Sequence, residues 1–239
     1  RSSTNLVCDL RPLKNLPPDA KLFTCDAVSM YTNIDTKHAL HEITAFLDSS
    51  PIPALEHVNT DALVAALKII MEHNVFCFGD TYWVQLTGTA MGTPPACMWA
   101  TLYFAIHEAK VIPQFTDVLK FYRRYIDDGF GLWEPLPDPS TDAARWSDFQ
   151  KAFSSYGKLS WEFSTRSSSV DFLDLTVTIS NGCVETCLYE KALNLYLYLP
   201  PHSAHPPGVL KGLIHGMLLR IHKLTTNSDA QMTYIRRFY

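Results

Sequence analysis

The stretch that most constrains the fold is FYRRYIDDGFGLW, residues 121–133, where aromatic and aliphatic residues flank two adjacent carboxylates, Asp127 and Asp128. Such a run reads as the two strands of a β-hairpin, with Asp-Asp-Gly as a type I′ turn and Asp127 at its tip. Adjacent like charges repel, and burying either carboxylate is costly unless positive charge sits beside it. Two readings stay open at this point: the pair closes a solvent-exposed turn, or it holds a cation.

A chain of 239 residues that is 47% hydrophobic and 18% charged is a folded globular protein able to bury one large core or two small ones. No apolar run reaches membrane-spanning length, because the best candidate, PPACMWATLYFAIHEAKVI, is interrupted by His107, Glu108 and Lys110. The opening RSSTNLVCDLR has no initiator Met and no apolar signal-peptide core, and the chain stops mid-pattern at IRRFY; it reads as a piece of a longer intracellular protein. Net charge is −4, but residues 1–180 carry 14 Lys/Arg against 21 Asp/Glu while residues 181–239 carry 6 against 3. An acidic first part and a basic last part suit a cation site joined to an anion-binding arm. The six scattered cysteines read as reduced core thiols. Cys183 and Cys187 with His202 and His205 imitate zinc-ligand spacing, yet the cysteines fall on a strand after the Asn181-Gly182 turn, which argues against a zinc site.

Along the chain, KLFTCDAV reads as a buried strand ending at Asp26, DTKHALHEITAFLDS as a helix capped by Asp35 or Thr36, and TDALVAALKIIMEH as a helix capped at Thr60/Asp61. NVFCFGDTYWVQL is a hairpin, TGTAMGTPP a loop, and a helix runs from about Pro94 to Val111. A proline-rich loop leads into the helix ARWSDFQKAFSSY. The strands KLSWEFS and VDFLDLTVTI follow, and the latter pairs with CVETCLYEK. Basic helices close the chain. Strands and helices mix without regular alternation, so the class is α+β. Asp26 and Asp127 would project from the same end of one sheet if their strands are neighbours. Two or three carboxylates there suit Mg²⁺, with positions left for phosphate and water, as two-metal phosphoryl transfer requires.

TCDAVSMYTNI, then TGTAMGTPPA, then YIDD resembles motifs A, B and C of the reverse transcriptase palm in order and spacing. The wording is closest to Penelope-like retroelement reverse transcriptases, and FLD at residues 172–174 and LYLYLPPHSAHP further on resemble later segments of that family. The resemblance implies a ferredoxin/RRM-like palm with an antiparallel sheet backed by helices. It divides the chain into a connector from absent fingers (1–20), a palm (21–180), and a primer-grip-like hairpin with the basic helical start of a thumb (181–239). It further implies two Mg²⁺ ions (Mn²⁺ as substitute), an RNA template, a DNA primer, deoxynucleotides, and the remaining fingers, thumb and possible endonuclease regions of a longer protein. A nuclear location follows only from that retroelement class.

By the same resemblance, Asp26, Asp127 and Asp128 ligate the metals together with the Ala27 carbonyl. Tyr31 stands under the sugar and excludes a 2′-hydroxyl, which disfavours an RNA-dependent RNA polymerase. Gly88, Met91 and Gly92 let backbone approach the nucleotide–template pair, with Gln85 nearby. Tyr125 packs beneath the carboxylates. Lys158 is either a general acid for pyrophosphate or a surface lysine. Arg123 contacts primer or compensates charge, and Arg124 is solvated or helix-facing. Leu173 and Asp174 lie in the primer-gripping strand pair, and Lys211, Arg220 and Lys223 face duplex phosphates or simply solvent. Thr93-Pro94 stands where some retroelement families have Ser-Pro, and keeps the hydroxyl. The competing readings are a domesticated, non-catalytic relative that binds nucleic acid or protein, and a telomerase-type polymerase.

Overall fold

The apolar run KLFTCDA forms β1 (Lys21–Ala27), with Leu22, Phe23, Cys25 and Ala27 all buried. In this computed structural model, which describes residues 2–49, 53, 56–191, 199 and 203–238, β1 lies inside a four-stranded antiparallel sheet. Its other members are β4 (Leu119–Tyr125), β5 (Asp128–Trp133) and β6 (Trp161–Phe163), in the order β4-β5-β1-β6. With α5 (Ala96–Val111) between β1 and β4, and α6 (Pro139–Ser154) between β5 and β6, the chain runs β-α-β-β-α-β. That path and strand order are the ferredoxin/RRM-like core expected of an α+β palm.

Each face of the sheet is covered by its own core, because strands at the centre of a sheet must bury both sides. On one face Phe23 and Trp133 pack with Trp99, Tyr103 and Phe104 of α5 and with Phe149 and Phe153 of α6. The helix α3 (Thr36–Ser49) joins them through Ala39 and Ile43, with Asp35 capping it by accepting from the Lys37 and His38 amides, as expected. On the opposite face Leu22, Phe121, Phe130 and Leu132 meet a second sheet, formed by β7 (Ser169–Phe172), β8 (Leu175–Ser180) and β9 (Cys183–Leu188). Helix α7 (Val209–Leu224) contributes Ile221 and Leu224 there, and α8 (Ser228–Phe238) packs behind it.

Local departures from the sequence reading have physical causes. Residues 3–10, expected within a connector, form α1 (Ser3–Leu10), whose Leu6, Val7 and Leu10 are buried in the second core. Helix α4 (Thr60–Glu72) is capped one residue early, by Asn59, which accepts from the Ala62 amide at 3.0 Å. Helix α6 begins at Pro139, five residues before ARWSDF, because Asp138 caps it and Pro at the first turn is preorganised. VDFLDLTVTI is two strands, broken at Leu173 (φ +55°). Asn181-Gly182 does turn β8 into β9, both residues having positive φ. The hairpin of β2 (Val75–Phe78) and β3 (Thr81–Val84) forms as expected, but all eight of its strand residues are exposed. Of the six cysteines only Cys25 is buried, which corrects the reading of core thiols. Cys183 and Cys187 share a face of β9 opposite the buried Val184 and Leu188; His202, needed for the zinc spacing, lies outside the described residues, as does most of LYLYLPPHSAHP.

Candidate active site

The strand register assembles the site. Asp26 is directly opposite Asp128 across β1–β5 and directly opposite Glu162 across β1–β6. Directly opposed residues share a face, so Asp128, Asp26 and Glu162 form a row of carboxylates over three strands. Asp127 stands beside them in the turn, whose position corrects the expectation: Tyr125 pairs with Asp128, so the two-residue loop is Ile126-Asp127 and not Asp-Asp-Gly. Ile126 has φ +53° and Asp127 has no positive φ, the φ pattern of a II′ turn. Gly129 is needed for packing instead, since a Cβ there would lie 2.4 Å from the Cys25 sulfur. The Ala27 amide donates to the Asp127 carbonyl at 3.0 Å, tying the turn to the end of β1.

Burial, then the Asp127 charge, then Glu162 hold the Asp26 carboxyl above its usual range. Burial, then Asp127, then Asp26 do the same to Asp128. Among the described residues neither these two nor Asp127 has a Lys or Arg ion-pair partner. The row opens onto a 320 Å³ cavity that Ser164, Asp171 and Leu173 also line. No three His, Cys, Asp or Glu side chains among the described residues form a ready-made metal cage. Mg²⁺ does not require one: it is ordinarily held by one or two carboxylates with substrate phosphate and water completing its octahedron. An all-oxygen donor set carrying uncompensated negative charge fits that ion.

Around this centre the expected residues divide. Tyr31, half-buried in the short helix α2 (Met30–Asn33), has its hydroxyl pushed up by burial, then by the Cys97 thiol, then by Asp127 and Tyr125, so it borders the carboxylates. Tyr125 is exposed beside Asp128 instead of packing beneath it. Gly88 (φ +76°) is pressed against α2, because a Cβ would sit 2.8 Å from the Tyr31 carbonyl and the Thr32 backbone; the close approach is to this chain's own backbone. Gly92 faces open space and Met91 is exposed. Gln85 and Lys158 line a separate 470 Å³ cleft, where Lys158 pairs with Asp35 at 3.1 Å rather than approaching the Asp26–Asp128 row.

Arg123 compensates charge, pairing with Asp9 of α1 at 2.9 Å, whereas Arg124 turns toward α5 and pairs with Glu108 at 2.7 Å. Leu173 lines the carboxylate cavity. Asp174 and Arg220 bind each other at 3.0 Å, with the Ser3 hydroxyl also donating to Asp174. Lys211 and Lys223 are exposed on α7. Sequence reasoning missed Glu162 and Asp171, because cross-strand neighbours are set by pairing register, which WEF and SVDF do not reveal locally.

No family model and no curated protein matches the chain. Solved structures do. A telomerase from Candida albicans in complex with a TWJ fragment of telomeric RNA superposes with a TM-score of 0.64 at 11% identity, over 91% of this chain and 37% of that one. An apo telomerase from Candida tropicalis, truncated from its C-terminal domain, gives 0.54 at 13% identity over 76% and 38%. The BmCPV RNA-dependent RNA polymerase at its elongation state gives 0.55 at 11% identity over 86% and 19%. The chain thus spans well under half of each of these proteins. Its fold is that of a nucleic-acid polymerase palm, with the carboxylate row on the sheet.

Proposed function

We propose that this palm belongs to an RNA-directed DNA polymerase of Penelope-like type, extending a DNA primer on an RNA template with deoxynucleotides. The observation that carries the reading is the placement of Asp26 directly opposite Asp128, with Asp127 in the connecting turn and no base among the described residues to neutralise them. Asp26, Asp127 and Asp128 would hold two Mg²⁺ ions, or Mn²⁺ in their place, with the Ala27 carbonyl at the same strand end. When bound, such ions lower the pKa of an attacking hydroxyl and neutralise charge on phosphate.

The chain's own residues supply position. Tyr31, next to the carboxylates, walls the sugar side and selects against a 2′-hydroxyl. The exposed Met91–Gly92 segment and Gln85 offer surface to the nucleotide and template. Leu173 supports the primer end from the far side of the cavity, and the exposed Lys211 and Lys223 on α7 face duplex phosphates. Lys158, paired with Asp35, would have to leave that partner to act as an acid.

A telomerase-type polymerase is the second reading, favoured by the superposition on the Candida telomerases; the wording of YTNI and GTAMG supports the Penelope-like one. Primer extension on an RNA template by the full-length protein tests the proposal. Asp127→Ala is expected to lower the rate by about a hundredfold or more, the loss of several kcal/mol of charge stabilisation. Equal extension by wild type and variant would leave a palm that binds nucleic acid or protein without catalysing.

A further inference from the structure

The hairpin that carries Asp127 is held from below by a buried charge. The Arg124 side chain is 4% exposed; its Nε donates to Glu108 Oε1 at 2.7 Å and its Nη2 to Oε2 at 2.9 Å. Nη2 also reaches the Thr101 carbonyl at 2.9 Å, and the guanidinium lies over the Phe104 ring. Nη1 donates to the Ile126 carbonyl at 2.5 Å. Glu108 is fixed in turn by the Tyr122 hydroxyl at 2.6 Å.

A buried ion pair is no stronger a stabiliser than apolar side chains of similar volume. What apolar side chains cannot do is donate to the Ile126 carbonyl. That carbonyl belongs to the peptide joining Ile126 to Asp127. The following peptide, Asp127 to Asp128, is held by the Ala27 amide on β1. Asp127 is therefore fixed through both of its flanking peptide planes, one from α5 through Arg124 and one from β1. Ile126 makes this hold necessary: a β-branched residue at φ +53° is strained and stays there only where its surroundings over-determine it.

We infer that Arg124 is a positioning residue for Asp127, clamping the turn so that its carboxylate stays beside Asp26 and Asp128. The inference deepens the proposed metal site and rests on it for its consequence, but the clamp itself can be measured without metal. Amide exchange followed by NMR in metal-free protein reports on the turn. In Arg124→Lys, whose single three-donor nitrogen cannot reproduce the four bonds the guanidinium makes to Glu108, Thr101 and Ile126, the Ala27 amide is expected to exchange about tenfold faster. The neighbouring Val28 amide, bonded to Ser160 on the other side of β1 at 3.0 Å, should be unchanged. A merely structural role would speed both alike.

Titration with Mn²⁺ reports the consequence. Arg124→Lys should bind about tenfold more weakly, in the range seen when groups that orient metal ligands are altered, and Asp127→Asn more weakly still. Should Arg124→Lys fail to fold, Arg124→Met combined with Glu108→Met removes both charges together and still lacks the donor to Ile126. Wild-type exchange at Ala27 with wild-type Mn²⁺ affinity in the folded variant would overturn the inference. If wild type binds Mn²⁺ no better than Asp127→Asn, the metal reading fails, and the exchange at Ala27 alone decides whether Arg124 is a clamp.

Discussion

Asp142 and Asp26 are carboxylates associated with the same four-stranded sheet, and their surroundings are opposites. Asp142, on α6, accepts from the indole of Trp133 on β5 at 2.8 Å and from the Leu136 amide at 3.1 Å, and pairs with Arg166 at 2.8 Å. Burial pushes its carboxyl up, but hydrogen bonds from Arg166, Trp133 and Leu136 outweigh that and hold it below the usual range. Asp26, in contrast, has carboxylates for neighbours on both adjacent strands and stays above the usual range. Asp142 is what this fold does with a carboxylate it uses to stabilise itself. A row in which burial and neighbouring acids raise the carboxyls of Asp26 and Asp128 has no such purpose, and strained electrostatics of that kind concentrate at functional sites.

Substitutions on the two sides of this contrast should move stability in opposite directions. Asp142→Ala leaves the half-buried Arg166 guanidinium and the buried Trp133 indole N–H without their acceptor, and is expected to destabilise the fold by about 3 kcal/mol in urea denaturation. A loss under about 1 kcal/mol would show that the pair is as dispensable as a surface ion pair. Asp128→Asn should instead stabilise the metal-free protein near neutral pH, by less than about 1 kcal/mol once solvent screening is allowed for. The sign follows from the raised carboxyl. Its stabilising contribution is present when the group is protonated, below the unfolded value of 3.8, and is lost as pH rises through the folded value. The advantage of Asp128→Asn in thermal melts should therefore shrink as pH falls toward 4; a gain unchanged across that range would contradict a carboxyl raised by burial and by its acidic neighbours. The smallest effect belongs to the exposed hairpin. Phe78, 78% exposed on β2, can become Ser with a stability change within about 0.5 kcal/mol.

Much of this arrangement is legible in the sequence, because the signals are local. The apolar run KLFTCDA placed β1 with Asp26 near its end, Asn181-Gly182 placed a turn, and Asp35 placed the start of α3. Where the structure departs from the sequence reading, either tertiary packing overrode a local preference or the feature depended on strand register and long-range contacts that local sequence does not encode. Gly129 looks like a turn residue, yet it sits in β5 to make room for the Cys25 sulfur, and the turn moved back onto Ile126 despite the strain. Arg220, read as facing duplex phosphates or solvent, and Asp174, read in the primer-gripping strand pair, pair with one another across α7 and the β7–β8 turn, a contact that no local signal gives. Glu162 carried no signal of its own, since only the register of β6 against β1 brings it to Asp26.

Crystals of the protein soaked in Mn²⁺ and measured at the manganese edge put the carboxylate row to the most direct test. Anomalous density bounded by Asp26, Asp127 and Asp128, absent in Asp127→Asn, is the expected result. Density that appears elsewhere on the molecule, or that survives in Asp127→Asn, would mean that these acids are not a divalent-ion site.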